Sequence, residues 1–561
     1  MIRAFDTHRV RKTQELSGSL WDFATLPREG ESVRLKMPVP GCWQNEPETL
    51  TWRGRAKYEK KFAASGNVRL EFKGVSHTAR VLVDGEMVKE HYNAYTPFSV
   101  VLKKLPAGEH MLEVLVDNSF GPDSALHVPN DYQTYGGITR PVALEELAGQ
   151  YVSCMHFTPS LQDGKWYASV EASVENLEGV PFEGRLELLL DGREFASVPV
   201  RLEAEEKAVL TVPQTPWPDA EAWCPENPRL YLLSAVLYGE GGEAKDDLID
   251  RVGFREVRTQ GKDILLNGQK LQIRGFCRHE DHPQFGCSLP WAAMCRDLSL
   301  MRDLGANSVR TSHYPNDELF LDLCDETGML VWEENHARGL SEEDMRNPNF
   351  ERQCEDCIRE MIGAHYNHPS IYIWGILNEC ASHTQYGREC YQKQLELIRS
   401  LDHTRPRSFA SCQFKTDICF DLVDVVSYNI YPLWYHDTPV DVYLKDLYGW
   451  VQEETGGSGK PFLITEVGAG AIYGYRTPEK VKWSEEYQAQ ALEKQLSAIL
   501  SQEGCSGVYI WQFCDCRVCD SWFHIRPRTM NNKGVVDEYR RPKLAYETVK
   551  KMFGGVGKAE S

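Results

Sequence analysis

Apolar and polar residues alternate with a period of two through roughly the first 255 residues, in short runs separated by turn residues. This alternation is typical of half-buried β-strands, and recurring strands of this length predict β-sandwiches. A seam follows RPVALEELAGQ. We predict a jelly-roll-like β-sandwich over residues 1–150 and an immunoglobulin-like β-sandwich over 151–255. The runs behind this prediction are NVRLEFKGV, RVLVDGEMV, HMLEVLVDN, RLELLLDG, VLTVP and LYLLSAVLYG.

From about residue 257 the pattern changes, and apolar strands alternate with amphipathic helices. Eight strands with helices between them predict a (β/α)8 TIM barrel over residues 256–561, so the fold class is multidomain, β followed by α/β. The strands are predicted at LQIRGFCR, ANSVRTSHY, GMLVWEEN, SIYIWGILNE, RPRSFAS, VDVVSYNIY, PFLITEVG and GVYIWQF.

Polar and aromatic side chains finish many of these strands, at the barrel end where active sites form. They are His279, His313, Glu334, Asn378, Glu379, Tyr431, Glu466 and Trp511.

Two of these residues suit the cleavage of a glycosidic bond. Retaining cleavage needs two carboxyl groups about 5–5.5 Å apart, one attacking the sugar and one protonating the leaving oxygen. Glu379 ends the fourth strand among apolar and aromatic neighbours, which raise the pKa of a general acid. Glu466 ends the seventh strand and would be the ionised nucleophile, with Tyr431 as hydrogen-bond donor. Asn378 could bind the sugar 2-hydroxyl.

Composition and charge narrow the possible partners. The 561 residues are 42% hydrophobic. The sequence contains no run of about 18 apolar residues, the length that a membrane-spanning helix requires. The net charge of −20 argues against nucleic acid and against an anionic membrane. The N-terminal MIRAFDTHRVRKTQELSG has no apolar segment of the kind that directs export, so we expect a cytoplasmic protein.

The 17 cysteines are too sparse for a disulfide scaffold and favour reduced thiols. A zinc site needs four well-placed ligands, and nothing in the sequence pairs the two groups of close cysteines. We therefore favour packing thiols and expect neither metal nor cofactor, since two carboxylates suffice for the chemistry. The groups are Cys505, Cys514, Cys516 and Cys519, and Cys354 with Cys357.

These motifs resemble glycoside hydrolase family 2. The resemblance implies the order jelly roll, immunoglobulin-like domain and barrel, a retaining double displacement, Glu379 as acid/base and Glu466 as nucleophile. It also suggests a homo-oligomer. The matching stretches are NDYQTYGGITRPVAL, RVGFREV, LLNGQKLQIRGFCRHED, MRDLGANSVRTSHYP, HPSIYIWGILNE, PFLITEVG and GVYIWQF.

Within the family, MNNKGVVDEYRRPK resembles the β-glucuronidases. The resemblance implies that Asn531 and Lys533 bind the carboxylate of a terminal β-D-uronic acid. The nearby Arg526 or Arg528 could assist, although the family pattern places an arginine slightly further upstream. The charge agrees, because a uronate that approaches a protein of net charge −20 needs a placed cation. By position, the resemblance also assigns the sugar site the residues Asp131, His279, Tyr431, Tyr435 and Trp511.

Arg338 in WEENHARGL departs from the β-glucuronidases, in which a small apolar residue would stand there. An arginine facing the sugar adds a donor near O4 or the carboxylate. Glucuronate and galacturonate differ only at C4, so this donor could shift the preference toward galacturonides. The alternative is a surface arginine paired with Glu342 or Glu343.

Two other functions remain open on the sequence alone. One is a different family 2 activity such as β-galactosidase, which would not need Lys533. The other is a non-catalytic carbohydrate-binding protein, although Glu379 and Glu466 are both present with their flanking residues.

Overall fold

The structure, a computed structural model, describes residues 7–554 and confirms the three predicted architectures. Two β modules precede a closed eight-stranded parallel barrel. No helix within residues 7–554 is long and apolar enough to cross a membrane. We keep 1–150, 151–255 and 256–561 as proposed domain limits.

The first module is one antiparallel sheet of eight strands and a separate two-stranded ribbon. The Asp84-Gly85 turn joins two neighbouring strands, and its positive φ values of 51° and 84° are those of a tight hairpin. The strands are β1 (Lys12–Glu15), β2 (Ser19–Thr25), β3 (Arg34–Val39), β4 (Arg55–Phe72), β5 (Val75–Ser76), β6 (Thr78–Val83), β7 (Glu86–Tyr92), β8 (Phe98–Asp117), β9 (Gly137–Ile138) and β10 (Val142–Leu147).

The second module packs two antiparallel sheets face to face, in the orders β11-β12-β15 and β14-β13-β16-β17. Alternate residues of both sheets are buried, which is the pattern that a sandwich core requires. The strands are β11 (Gln150–Gln162), β12 (Lys165–Asn176), β13 (Phe182–Leu190), β14 (Arg193–Leu202), β15 (Lys207–Pro216), β16 (Tyr231–Gly239) and β17 (Ala244–Val252).

A small three-stranded sheet leads into the barrel, formed by β18 (Val257–Gln260), β19 (Asp263–Leu266) and β20 (Gln269–Lys270). Ile264 and Leu266 belong to the same apolar cluster as barrel-strand residues such as Tyr372 and Tyr509. This sheet therefore packs on the barrel core and leaves the carboxyl ends of the strands for a site.

The barrel strands pair in sequence order and close between the first and the eighth. The predicted strands are all confirmed: β21 (Ile273–Cys277), β22 (Ser308–Arg310), β23 (Leu330–Glu334), β24 (Ile371–Ile376), β25 (Arg407–Ser411), β26 (Val426–Asn429), β27 (Phe462–Val467) and β28 (Cys505–Ile510). A ribbon of β29 (Cys516–Arg517) and β30 (Met530–Asn531) follows the eighth strand.

Helices surround the barrel, and their apolar faces pack against the strands in one continuous core. They are α1 (Trp291–Asp303), α2 (Glu318–Thr327), α3 (Glu342–Met345), α4 (Phe350–His365), α5 (Gln385–Leu401), α6 (Val440–Glu454), α7 (Glu485–Ser501) and α8 (Leu544–Gly554).

Arg11 joins the two β modules through a buried ion-pair network. Its guanidinium donates to Glu145 at 2.6 Å in the first module and to Asp246 at 2.7 Å and 3.0 Å in the second. It also donates to the Val152 carbonyl at 2.8 Å. A buried cation with this many partners holds the modules in one orientation, because separating them would leave carboxylates uncompensated.

We expect Arg11→Ala to destabilise the protein by about 3 kcal/mol, because Asp246 and Glu145 would each lose a buried cation. Thermal and urea unfolding would measure the change. Lys12→Ala is the matched control, because its side chain is 80% exposed and surface substitutions cost about 0.5 kcal/mol or less. Equal stability of the two variants would contradict the assignment of Arg11.

Candidate active site

A strained turn after the fourth barrel strand carries Asn378 and Glu379. β24 ends at Ile376, and then Leu377 and Glu379 adopt φ values of 45° and 54°, which non-glycine residues rarely adopt. The Glu379 amide donates to the Ala410 carbonyl at 2.9 Å, which fixes the turn on the next strand. Backbone strain of this kind is typical of functional sites.

Glu379 and Glu466 line one cavity of about 280 Å³ at the carboxyl ends of the barrel strands. This volume lies near the lower end of the range for small-molecule sites. Predicted site residues and unpredicted ones share its wall. They are Asp131, Arg338, Glu379, Cys412, Asn429, Tyr431, Tyr435, His436, Tyr443, Glu466, Trp511 and Lys533.

Glu466 is 3% exposed, and its carboxylate accepts hydrogen bonds from two side chains. Arg310 Nη1 lies 2.9 Å from Oε1, and the Tyr431 hydroxyl donates to Oε2 at 2.6 Å. Burial, followed by the nearby charge of Glu379, raises the pKa of Glu466 to about 7. Arg310 and Tyr431 act in the opposite direction and favour the ionised form.

Glu379 accepts a hydrogen bond from Asn429 Nδ2 at 3.0 Å, and Arg338 Nη2 lies 3.5 Å from its other oxygen. Asn378 is fixed beside it, because its Oδ1 accepts from Arg310 Nη2 at 2.7 Å and from Asn429 at 3.0 Å. The Asn378 Nδ2 is buried without a partner in the described chain. It is therefore a buried donor that no acceptor of the described chain uses, on the residue next to Glu379.

Arg310 is a central residue that the sequence analysis missed. It is fully buried at the end of β22, where it pairs with Glu334 as well as Glu466, each at 2.9 Å. His313 Nδ1 contacts the same Glu334 oxygen at 2.9 Å. The arginine stands in the predicted strand ANSVRTSHY. An inward-facing charge in a barrel strand was the signal that could have identified it.

Lys533 extends its ammonium into a group of aromatic rings. Its Nζ lies 5.8, 5.7 and 5.4 Å from the ring centres of Tyr431, Trp434 and Tyr435. The residue is 2% exposed, and it forms no ion pair with a carboxylate within residues 7–554. A desolvated cation that faces a cavity in this way is prepared for an anionic ligand.

The first module contributes to the same cavity through the loop that carries Asp131. Arg526 holds the Asp131 carboxylate with both Nε, at 2.8 Å, and Nη2. Asn531 Nδ2 donates to the same carboxylate at 3.0 Å, and Asn531 Oδ1 is buried without a partner in the described chain. The cavity is thus completed by residues from opposite ends of the sequence.

The prediction for Arg528 requires correction. Its guanidinium pairs with Glu538, and the residue lines a neighbouring cavity with Arg53 and Arg517 instead of the glutamate cavity. Arg526, two residues earlier, pairs with Asp131 instead, and its assistance to the uronate carboxylate stays a prediction. Arg528 has a φ of 58°, so the chain turns between the two residues and directs them to different sides.

His279 lies behind Trp511 and is not on the cavity wall. Its ring meets the Trp511 ring edge-on, with centres 5.4 Å apart, and its Nδ1 contacts the Tyr314 hydroxyl at 3.1 Å. Burial, followed by the neighbouring His313, lowers the pKa of His279 well below its usual value, so the ring is neutral. Its Nε2 has no partner among the described residues, and substrate contact remains a prediction.

Arg338 faces the cavity. Its Nη1 donates to Asn130 Oδ1 at 2.5 Å, and its Nη2 lies beside Glu379. The alternative surface pair with Glu342 or Glu343 is wrong, because Glu342 pairs with Arg346 at 2.7 Å.

A possible ligand set for a metal lies outside this cavity. Within residues 7–554, one group of three or more His, Cys, Asp or Glu side chains is close enough together to hold a metal ion. It consists of Asp322, Asp325 and His368. They are already paired with protein groups: Arg251 contacts Asp322, and His368 Nδ1 lies 2.5 Å from Asp325. These contacts assign the group to the packing of the barrel on the second module.

Three family models match consecutive parts of the chain. The sugar-binding domain of glycosyl hydrolases family 2 matches residues 36–148, a further family 2 domain matches 150–255, and the family 2 TIM barrel domain matches 257–557. The chain belongs to glycoside hydrolase family 2. It is therefore a glycoside hydrolase, and the resemblance found from its motifs is confirmed.

Relatives of this family 2 enzyme include uronidases. It is 67% identical to a β-galacturonidase from Eisenbergiella tayi, solved with bound galacturonate, with a TM-score of 0.98 and complete coverage of both chains. A β-D-glucuronidase from Dictyoglomus thermophilum has a TM-score of 0.82 at 26% identity, with 98% of each chain covered. A β-glucuronidase from Paenibacillus borealis is 27% identical over 98% of each chain.

The raised pKa of Glu466 predicts a pH-dependent cost to folding. The folded chain binds more protons at this carboxyl than the unfolded chain, whose pKa is near 4.5, so stability falls as the pH rises from there to about 7. We expect Glu466→Gln to be more stable than wild type at pH 8, by a few kcal/mol at most. The gain should shrink toward pH 4.5 in thermal unfolding.

Glu342→Gln is the control for this comparison, because the Glu342 side chain is 35% exposed and pairs with the exposed Arg346. A Glu466→Gln protein no more stable than wild type at pH 8 would contradict the raised pKa.

Proposed function

We propose that this enzyme hydrolyses terminal β-D-galacturonides by a retaining double displacement. The observation that carries the proposal is the guanidinium of Arg338 in the cavity, held between Glu379 and Asn130. It places a cationic donor beside the proposed acid/base residue. The 67% identity to a galacturonidase over the whole chain supports the same substrate.

In the proposed first step, the Glu466 carboxylate attacks the anomeric carbon while Glu379 donates a proton to the leaving oxygen. The product is a covalent glycosyl-enzyme. In the second step, Glu379 takes a proton from water, and this water releases the sugar from Glu466. Each residue thus ends the cycle in its starting form.

The charge of Glu379 acts on the carboxyl group of Glu466. The sequence predicts a raised pKa for the acid/base residue, whereas in the structure burial and the charge of Glu379 raise the pKa of Glu466 to about 7. The proposed reaction requires an ionised Glu466 and a proton on Glu379. Arg310 and Tyr431 donate to Glu466 and so favour this distribution.

The uronate carboxylate is proposed to bind at Lys533 and Asn531. Lys533 is desolvated among aromatic rings, and Asn531 is positioned by Asp131. A neutral sugar would leave the buried ammonium without an anion, which disfavours β-galactosidase activity. The second candidate substrate is a β-D-glucuronide, favoured by relatives such as the Paenibacillus borealis enzyme.

We also propose a cytoplasmic homo-oligomer. The location is supported by 17 free cysteines, which suit a reducing compartment. The oligomer is supported only by the family resemblance.

Changing Arg338 tests the choice between the two uronides. Wild type should hydrolyse nitrophenyl β-galacturonide faster than the β-glucuronide, with Glu466→Gln as the inactive blank. In Arg338→Ala we expect the ratio of the two kcat/KM values to fall at least about tenfold, because a lost charged donor is worth about 1.5–3 kcal/mol.

Arg346→Ala is the matched control, because Arg346 lies eight positions along the same segment and pairs at the surface with Glu342. An unchanged ratio in Arg338→Ala would show that Arg338 does not determine the preference between galacturonides and glucuronides, which differ at C4. Faster glucuronide turnover by wild type would reject the galacturonidase assignment.

Changing Lys533 tests recognition of the carboxylate. We expect Lys533→Met to lose about 10- to 100-fold in kcat/KM on nitrophenyl β-galacturonide, as a charge-assisted hydrogen bond disappears. Any activity on nitrophenyl β-galactoside should change much less, because that sugar has no carboxylate. Lys445→Met on the exposed face of α6 is the control. Equal losses on both substrates would indicate a structural role instead.

A further inference from the structure

One wall of the catalytic cavity has no role in the chemistry described so far. Cys412, His436 and Tyr443 line the cavity together with both glutamates. They follow the fifth and sixth barrel strands, and Tyr443 stands in the first turn of α6. We call the group of His436, Tyr443 and Phe414 the aromatic wall.

The aromatic wall is a row of three rings that continues outward from the cavity. The His436 and Tyr443 ring centres are 4.7 Å apart with planes inclined by 32°. Tyr443 and Phe414 stack at 4.8 Å with 27° between their planes. Phe414 is 39% exposed, so the row begins at the cavity and ends at the surface.

Two polar groups of the wall are free to bind a ligand. Neither the ring nitrogens of His436 nor the hydroxyl of Tyr443 has a hydrogen-bond partner in the described part of the chain. Both residues line the cavity. Aromatic faces combined with a few unpaired polar groups are typical of sites that bind small ligands.

Within residues 7–554, the lysine that lies over the wall is already paired and is not free to bind a second uronate. Lys415 lies 5.7 Å from the Phe414 ring centre, but its ammonium is paired with Asp446 at 2.5 Å. An acidic ring would meet the net charge of −20 without compensation. The wall therefore suits an uncharged ring.

The position of the wall identifies which part of the substrate would reach it. The leaving group is attached to the oxygen that Glu379 protonates, so it must extend from the side of that carboxylate. Asn429 lines the cavity on this side and is bonded to Glu379. Cys412 lies two residues after Ala410, whose carbonyl accepts from the Glu379 amide at 2.9 Å. Arg338 contacts the other oxygen of Glu379.

We propose that the aromatic wall binds the leaving group of the substrate, and that this group is an uncharged sugar. The apolar face of the ring would pack on Tyr443 and Phe414, which removes C–H groups from water. His436 and the Tyr443 hydroxyl would bond its hydroxyl groups. The natural substrate is then a saccharide that carries one terminal galacturonate on a neutral unit. This inference rests on the proposed function.

The test compares leaving groups by kcat/KM, which includes the departure of the leaving group. In β-galacturonosyl-galactose the leaving group is a neutral sugar, whereas in methyl β-galacturonide the leaving group has no ring. We expect the ratio of their kcat/KM values to fall about tenfold in Tyr443→Ala and in His436→Ala. Tyr443→Phe keeps the ring and should lose no more than about threefold, the cost of one hydrogen bond.

Tyr475→Ala is the matched control, because Tyr475 is 42% exposed and does not line the cavity. An unchanged ratio in both Tyr443→Ala and His436→Ala would overturn the proposal. The proposal would also be overturned if Tyr443→Ala and His436→Ala lost more kcat/KM on digalacturonate or on phenyl β-galacturonide than on the neutral disaccharide. These results would assign the wall to an acidic sugar or to an aryl group.

A second measurement separates this proposal from the proposed function. Saturation-transfer NMR can detect methyl β-galactoside bound to wild type while excess galacturonate fills the inner cavity. The signal should disappear in Tyr443→Ala and remain in Tyr475→Ala. No signal with wild type would reject the neutral-sugar site, whereas no hydrolysis of any uronide would reject the proposed function alone.

Discussion

Two carboxyl groups in one buried cavity create the electrostatic problem on which the rest of the site depends. Glu466 is almost fully buried, and the charge of Glu379 opposes its ionisation. Arg310 offsets this cost from inside the barrel by bridging Glu466 and Glu334. A buried cation is itself costly without good partners. Arg310, Glu466 and Glu334 therefore make one another's burial possible.

Two further cations near the cavity also offset its negative charge. Arg338 lies beside Glu379, and Lys533 stands nearby among aromatic rings. The protein as a whole carries a net charge of −20, so these placed cations define where an acidic sugar can enter. Ionisation of Glu466 and the proposed binding of a uronate thus depend on one arrangement of charges.

Much of the fold and the centre of the site could be predicted from the sequence. Periodicity gave the two β modules and all eight barrel strands, and Glu379 and Glu466 were evident because functional groups gather at strand ends. Lys533 followed from its motif after the eighth strand. These features depend on local sequence, which a single chain displays directly.

The contacts that fix the site depend on distant residues and could not be read in this way. Arg526 and Arg528 stand in the same short segment, and only the folded turn shows that Arg526 reaches Asp131. Arg310 appeared as one charge in a short strand, and nothing near it in the sequence showed its partners Glu334 and Glu466. The pairing of Arg338 with Asn130 joins residues 208 positions apart. Its direction was therefore undecided between the cavity and the surface.

The joining of Asp131 to Arg526 and Asn531 has a consequence for how the enzyme is made. Asp131 leaves the ribosome 395 residues before Arg526 and 400 residues before Asn531. Domains generally fold in the order of their synthesis. A nascent or truncated chain can thus complete its early modules while its sugar site is still unformed. The contacts of Asp131 can form only after Arg526 and Asn531 have been synthesised and the barrel has docked on the first module.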